Sequence, residues 1–453
     1  MIPPLAYLKR NIDSWLETMS EQGHEITGMK ERAAKLPDSY DAVISFAEEA
    51  SNLPLRKDWQ YIEPLDWHGI ENEMDKSRAD FIFEIDNIEE CSKKAEAAFL
   101  ASVLGCILGK PLEVNPTLAE LKTAGISVGE WPINDFVSEK FLNALGRKHS
   151  SWHDTIKGNI KYVAADDDLH YSILGMINLE NYGLDLDLDG MKNTWLNHQC
   201  LNFVFGPERY LLACVGVNHL YEDFDEEKHK SDSYYLKWTN IFNPGSELCG
   251  AVIRADAYGY AFPGRPDLAA KYAFIDASFT HKRTGVYSAM FIAAAIALMF
   301  KVKEPMAAFE GALKFVPQKS RFHNNAKLCL EYVTTSVSFD DAYEKIHHRF
   351  SEYDHCKIYQ EIGTVINTLR YAKDIWDGVC KQVMQGNDTD SFGCTAGSLL
   401  GAFFGYDKLP QDKLSLFNDE IRMSLASFNE HSLSSLARRM GDLPGKFFKK
   451  DKP

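Results

Sequence analysis

Asn387-Asp388-Thr389-Asp390-Ser391-Phe392-Gly393-Cys394-Thr395-Ala396-Gly397-Ser398-Leu399-Leu400-Gly401-Ala402-Phe403-Phe404-Gly405 carries a glycine at every fourth position from Gly393 onward. A four-residue step runs along one ridge of an α-helix. Each helical glycine costs about 1 kcal/mol relative to alanine, so the set costs roughly 3–4 kcal/mol that another contact must offset. A ridge without side chains admits a second backbone at close range, and packing is the simplest reading of the stripe. A second segment repeats the pattern with Ala97, Ala101, Gly105 and Gly109. Both stripes end in acid groups, with Asp388 and Asp390 ahead of one and Glu113 just beyond the other, after Lys110-Pro111-Leu112.

The rest of the chain has the same helical rhythm. Leu5, Leu8, Ile12, Trp15, Leu16 and Met19 share one face, and similar patterns recur near 40–50, 94–108, 168–182, 267–279, 285–301, 361–373 and 393–404. Alternating runs are scarce, so the predicted fold class is all-α. Residues 52–90 hold Pro54, Pro64 and Trp59 without a sustained period, which predicts an irregular wrap. A boundary near 90 then separates an N-terminal helical and irregular extension (1–90) from the main domain (91–453). Residues 221–232 read as a charged surface loop.

A third acidic feature is Ala165-Asp166-Asp167-Asp168, opening a helix whose apolar positions are Leu169, Ile173, Met176 and Ile177. One or two carboxylates at a helix start are explained by capping and the helix dipole. Three in a row repel one another unless a cation neutralises them. If the two helix starts meet, Asp166, Asp167, Asp168, Asp388, Asp390 and Ser391 supply five carboxylates and a hydroxyl, a set suited to Mg²⁺ or Mn²⁺. By contrast, Asp185-Leu186-Asp187-Leu188-Asp189-Gly190 imitates the start of a calcium loop but has Leu196 where a bidentate Glu is required. Asp189 is expected to cap the following helix. His347-His348 is expected on a helix surface.

Composition narrows the function classes. The chain has 453 residues, with 49 Lys plus Arg against 65 Asp plus Glu and a net charge of -16, which argues against nucleic-acid and anionic-membrane partners. The basic run 446–452 reads as a solvated tail. The apolar stretch 285–300 is shorter than the ~20 residues a bilayer requires and reads as a buried helix. Nine cysteines form no C-x-x-C pair, as expected of reduced thiols in a cytoplasmic protein.

Taken together, these blocks resemble the ADP-ribosylglycohydrolase family over about residues 90–412. Residues 98–113 are similar to the opening helix G-A-x-x-G-x-x-x-G-D-x-x-G-x-P-x-E. Asp166-Asp167-Asp168 with Tyr171-Ser172-Ile173 resembles the T-D-D-T block, a register that fits better than one with Ala165 opposite the first Thr. Gly250-Ala251-Val252-Ile253-Arg254 with Thr280-His281 resembles the central G-x-x-M-R and T-H elements. Asp388-Thr389-Asp390-Ser391 and the glycines after it resemble the closing D-x-D-T-x-G-x-x-x-G-x-x-x-G-A-x-x-G, the most specific of the four.

The resemblance implies a compact orthogonal helical bundle with an N-terminal helical extension, whose cleft binds ADP-ribose and two divalent cations, Mg²⁺ or Mn²⁺. It implies metal ligation by Asp166 (where the family has Thr), Asp167, Asp168, Asp388, Asp390 and Ser391 (again for Thr). It also implies a mobile Glu113 serving with Asp388 in catalysis, and substrate contacts from Gly250, Arg254 and His281. Cys106 stands where the family pattern has Asp. The implied activity is hydrolysis of the bond between ADP-ribose and a modified protein side chain or small acceptor, so the expected partner is an ADP-ribosylated protein or small molecule. Rival readings are an ADP-ribose-binding pseudoenzyme and an immunity or regulatory protein that occludes an ADP-ribosylating toxin through residues 1–90.

Overall fold

A computed structural model describes residues 3–219, 239–353 and 356–448. The expected charged loop at 221–232 lies outside these residues. The described chain is all-α, with six isolated bridges and no sheet.

Ten helices position the site. They are α1 (Leu5–Glu21), α2 (Tyr40–Ser51), α3 (Ile88–Gly109), α4 (Asp167–Tyr182), α5 (Pro266–Ser278), α6 (Thr284–Met299), α7 (Ile358–Tyr371), α8 (Ile375–Met384), α9 (Thr389–Phe404) and α10 (Leu433–Phe448). Local chemistry sets several starts. Ser39 caps α2 by accepting the Ala42 N–H, Asn87 caps α3 through Glu90, and Asp166 caps α4 through Asp168. Helix α6 is apolar on every side and buried along its whole length, which makes it the centre of the body. Ile88–Leu112 is long and apolar enough to cross a membrane by length and composition, but its apolar window is entirely enclosed by protein.

The glycine stripes face each other. A Cβ on Gly393 would lie 2.5 Å from the Gly105 carbonyl oxygen, and one on Gly401 would lie 2.5 Å from that of Ala97. Gly105, Gly109 and Gly397 would collide with the backbone of Gly393, Thr389 and Ala101 in turn. Helices α3 and α9 therefore pack backbone to backbone, and dispersion attraction between the two closely apposed backbones offsets the propensity cost of the glycines.

The segment between 52 and 90 is less irregular than expected, because Asp66 caps a short helix, Trp67–Glu73, and a 3₁₀ turn follows at Lys76–Phe81. The extension is fastened to the body by buried groups. The Trp15 indole donates to the Asn240 carbonyl (3.2 Å) and the Thr18 hydroxyl to that of Pro244 (2.8 Å). Arg321 pairs with Glu63 at 2.9 Å and Glu247 at 2.6 Å. Two minor expectations are corrected. Asp187 caps the helix after the false calcium loop by accepting from Gly190, while Asp189 pairs with Lys192 at 2.7 Å. His347 is half-buried: it stacks on Tyr343 and bonds Asn387, and burial lowers its pKa to about 4.

Candidate active site

Close packing of α3 on α9 brings the end of one stripe beside the start of the other. The Thr389 hydroxyl donates to the Gly109 carbonyl at 2.8 Å, locking the two termini together. Upstream of α9 the chain makes two consecutive left-handed steps, Gly386 (φ 79°) and Asn387 (φ 61°). A Cβ on Gly386 would collide with the Pro116 carbonyl, to which Asn387 donates its N–H at 2.7 Å. Glycine avoids that clash, and asparagine tolerates the left-handed region better than most residues. The turn delivers Asp388 and Asp390 against the segment that carries Glu113.

The two helix starts expected to meet do meet, through a cation. The Lys110 ammonium pairs with Asp166 and lies 3.5 Å from Asp390 Oδ2 and 3.7 Å from Glu113 Oε2. Glu113, Asp388 and Asp390 each place an oxygen within 4.8 Å of the other two, and Cys106, Asp166 and Asp168 form a second such group. Asp166, Asp168, Asp388, Asp390 and Ser391 are buried, Asp167 is half-buried, and the Glu113 side chain is 39 % exposed, on the rim.

The electrostatics reflect one ammonium among six carboxylates. Burial disfavours the charge on Asp166, but Lys110 prevails and holds it down at about 2. Burial, then Asp166 and Asp390, push Asp167 and Asp168 well above the ordinary range. Burial and Asp390 raise Asp388 to about 7 and Glu113 to about 10. Among the described residues, both oxygens of Asp168 and Oδ1 of Asp390 have no hydrogen-bond partner. Bare, buried carboxylate oxygens converging in this way suit a hard divalent cation.

Several neighbours carry no signal in the sequence. The Cys249 and Cys356 thiols point at Asp388 Oδ2 from 3.5 and 3.4 Å. Buried Glu361, on α7, accepts the Asp388 N–H at 3.3 Å. His149 Nε2 lies 3.6 Å from Glu113. Of these neighbours and Lys110, only Lys110 had a visible cue, as a cation between the stripe and the motif's proline.

The residues expected to touch substrate sit in a separate cluster. The Arg254 guanidinium, 1 % exposed, donates to Asp276 Oδ1 (2.5 Å), Glu208 Oε1 (2.6 Å), Thr280 Oγ1 (2.8 Å) and the carbonyls of Asp276 (3.1 Å) and Gly250 (3.2 Å). Gly250 makes room for the Glu208 carboxylate, since a Cβ there would lie 2.6 Å from its Oε1. His281 is buried with Nδ1 at 2.7 Å from the Thr280 hydroxyl. Burial, then Arg254, hold it neutral. The turn that starts at Cys249 thus faces Asp388 at one end and sends Arg254 inward at the other.

Comparison with known proteins agrees with this geometry. No curated protein sequence matches the chain. Among 43 matching solved chains, one from an ADP-ribosylglycohydrolase-related protein complex is 14 % identical, covering 78 % of this chain and 99 % of its own, with a TM-score of 0.50. That likeness shows a shared fold. The family model for ADP-ribosylglycohydrolase matches residues 88–443, a span that holds both stripes and every acid group of the cleft, and the chain therefore belongs to the ADP-ribosylglycohydrolase family, glycohydrolases acting on ADP-ribose linkages.

Proposed function

We propose that the chain hydrolyses the glycosidic bond joining C1 of ADP-ribose to a modified protein side chain or small acceptor, in a divalent-cation-dependent reaction that releases ADP-ribose. The observation that carries this is the convergence of Asp166, Asp390 and Glu113 on a single ammonium, with Asp168 and Asp388 grouped beside them and bare oxygens on Asp168 and Asp390.

Glu113, Asp388, Asp390 and Ser391 would hold Mg²⁺ or Mn²⁺ from one side and Asp167 and Asp168 from the other; a bound ion there neutralises the carboxylates and orients ribose hydroxyls. Departure of the acceptor leaves positive charge on C1, which nearby carboxylates stabilise more in the transition state than in the ground state. With its own proton displaced by the ion, Glu113, reachable from the rim, binds the attacking water; Glu113 or Asp388 accepts the water's proton as the hydroxyl bonds to C1 and passes it to the departing acceptor, so that ADP-ribose and the protonated acceptor are released. Cys249, Cys356 and Glu361 position Asp388. Arg254 and His281 shape the wall through Gly250 and Thr280. The setting that suits nine cysteines held as thiols and not as disulfides is a reducing, cytoplasmic one.

The test is ADP-ribose release from ADP-ribosyl-arginine and ADP-ribosyl-serine peptides in Mg²⁺, in Mn²⁺ and in chelator. Metal-dependent release is the expected result. ADP-ribose binding without release in any condition rejects hydrolysis.

A further inference from the structure

The carboxylate cleft contains a cation of its own. Lys110 follows the last glycine of the α3 stripe, and its side chain is 8 % exposed. Its ammonium pairs with Asp166 at the start of α4 and lies 3.5 Å from Asp390 at the start of α9 and 3.7 Å from Glu113. One point charge thus bridges all three acid-bearing segments. The geometry points to Lys110 as a resident counter-ion that takes a divalent-cation position, so that the chain holds one ion fewer than its carboxylates would otherwise hold. This rests on the metal-bearing reading proposed above.

Three features carry it. First, the ligand capacity of Asp166 is engaged: Oδ1 accepts the Asp168 N–H at 3.0 Å and Oδ2 meets the ammonium. A divalent ion on the same oxygen would stand within a few ångströms of a second positive charge in a poorly solvated site. Second, the remaining group on that side pairs Asp168 with the Cys106 thiol, a softer donor that Mg²⁺ and Mn²⁺ take less readily than oxygen. The group of Glu113, Asp388 and Asp390 is all oxygen, and the ammonium stands farther from it, 3.5 Å from Asp390 and 3.7 Å from Glu113, than from Asp166. Third, the stem of Lys110 is pinned. Pro111 follows it, and Gly109 before it is held by the Thr389 hydroxyl at 2.8 Å and pressed onto the α9 backbone. Asp166 and Lys110 thus form a pair: an added carboxylate where the resembled pattern has a neutral Thr, and an ammonium at that pattern's unspecified G-x-P position.

The experiment counts Mn²⁺ bound per full-length chain, by calorimetric titration and by the loss of the free-ion electron paramagnetic resonance signal. The wild-type chain should bind one ion and Lys110→Met one more. Equal, non-zero counts overturn the inference while leaving the metal-bearing reading intact. No ion on either chain rejects that reading and the inference with it. If Lys110→Met does not fold without metal, its thermal midpoint in Mn²⁺ decides: recovery shows the ion replacing the ammonium, and a chain that stays unfolded in saturating Mn²⁺ overturns the proposal.

Discussion

Arg254 and Lys110 are both buried cations ringed by acid groups, and they settle their surroundings in opposite ways. The guanidinium has five N–H donors, and all five are taken, by Asp276, Glu208, Thr280 and the carbonyls of Gly250 and Asp276. Its plane also lies over the Trp195 ring at 5.1 Å. No N–H of the guanidinium is left to bind anything else. Around Lys110 one ammonium meets three carboxylates, those of Asp166, Asp390 and Glu113, and oxygens of Asp168 and Asp390 remain bare. The guanidinium is fully paired without a ligand, whereas the ammonium is outnumbered by carboxylates, which either keep protons, as the raised pKa values of Asp388 and Glu113 show, or take a metal cation in their place. Saturation, rather than burial or charge, separates a structural cluster from a site.

The largest expected effect tests the saturated cluster. Arg254→Met leaves Glu208 and Asp276 buried without their counter-charge and should cost about 3–5 kcal/mol in urea unfolding, as for other broken buried pairs. A loss under about 1 kcal/mol would mean the cluster is not the structural element described. The matching change in the unsaturated cluster has the opposite signature. Asp390→Asn should lower ADP-ribose release by about 100-fold, roughly 2.7 kcal/mol of transition-state stabilisation, while the metal-free unfolding midpoint stays level or rises. A metal-free midpoint that falls as far as that of Arg254→Met erases the distinction.

Smaller than either cluster effect is that of the helix contact that assembles the cleft. Gly397→Ala gains about 1 kcal/mol of helix propensity, but its Cβ would collide with the Ala101 carbonyl. Overpacking of this kind costs about 1–3 kcal/mol, so denaturant unfolding should show net destabilisation. A net gain would show that the stripe is not needed for close approach.

The smallest effects are in pH, and they again differ in sign between two regions. Burial and Asp390 raise Asp388 to about 7. The metal-free folded chain therefore retains a proton that the unfolded chain releases near the ordinary carboxylate pKa of ~4, so this group's contribution to stability falls as pH rises from about 4 to 7. Mn²⁺ must displace that proton, so its affinity should drop about tenfold per displaced proton for each pH unit below 7, as read by titration calorimetry at pH 6, 7 and 8. Glu247 goes the other way: burial opposes its charge, but Arg321 prevails and holds it at about 2. The stability it lends is complete above the ordinary range and is lost as pH falls toward 2. Metal affinity flat from pH 6 to 8 would leave Asp388 out of the ion's ligand set.

Much of the fold was legible because helical periodicity is a local property. The stripes at Ala97–Gly109 and Gly393–Gly405, the apolar face from Leu5 to Met19 and the fully apolar segment at α6 each stand as helices in the structure. The acid residues of the cleft were legible as types and spacings. Their surroundings were not. Cys249, and Cys356 with Glu361 from a second stretch, close on Asp388 across 139, 32 and 27 positions in the chain, and no periodicity links them. Asp187 rather than Asp189 caps its helix because the cap depends on where the first turn begins, a boundary that spacing alone places only to within a residue or two.

The sequence by itself determined the helices, the glycine ridges and the supply of carboxylates at their ends, because each follows from residues a few positions apart. The tertiary structure alone decided which buried charge is spent and which is left over. Arg254 is saturated because Glu208 arrives from one stretch of chain and Asp276 and Thr280 from another, and Lys110 joins Asp166 to Asp390 because two side-chain-free ridges allow α3 and α9 to touch. Charge balance in a buried site is set by distances of a few ångströms between segments hundreds of residues apart, a quantity that exists only once the chain has packed.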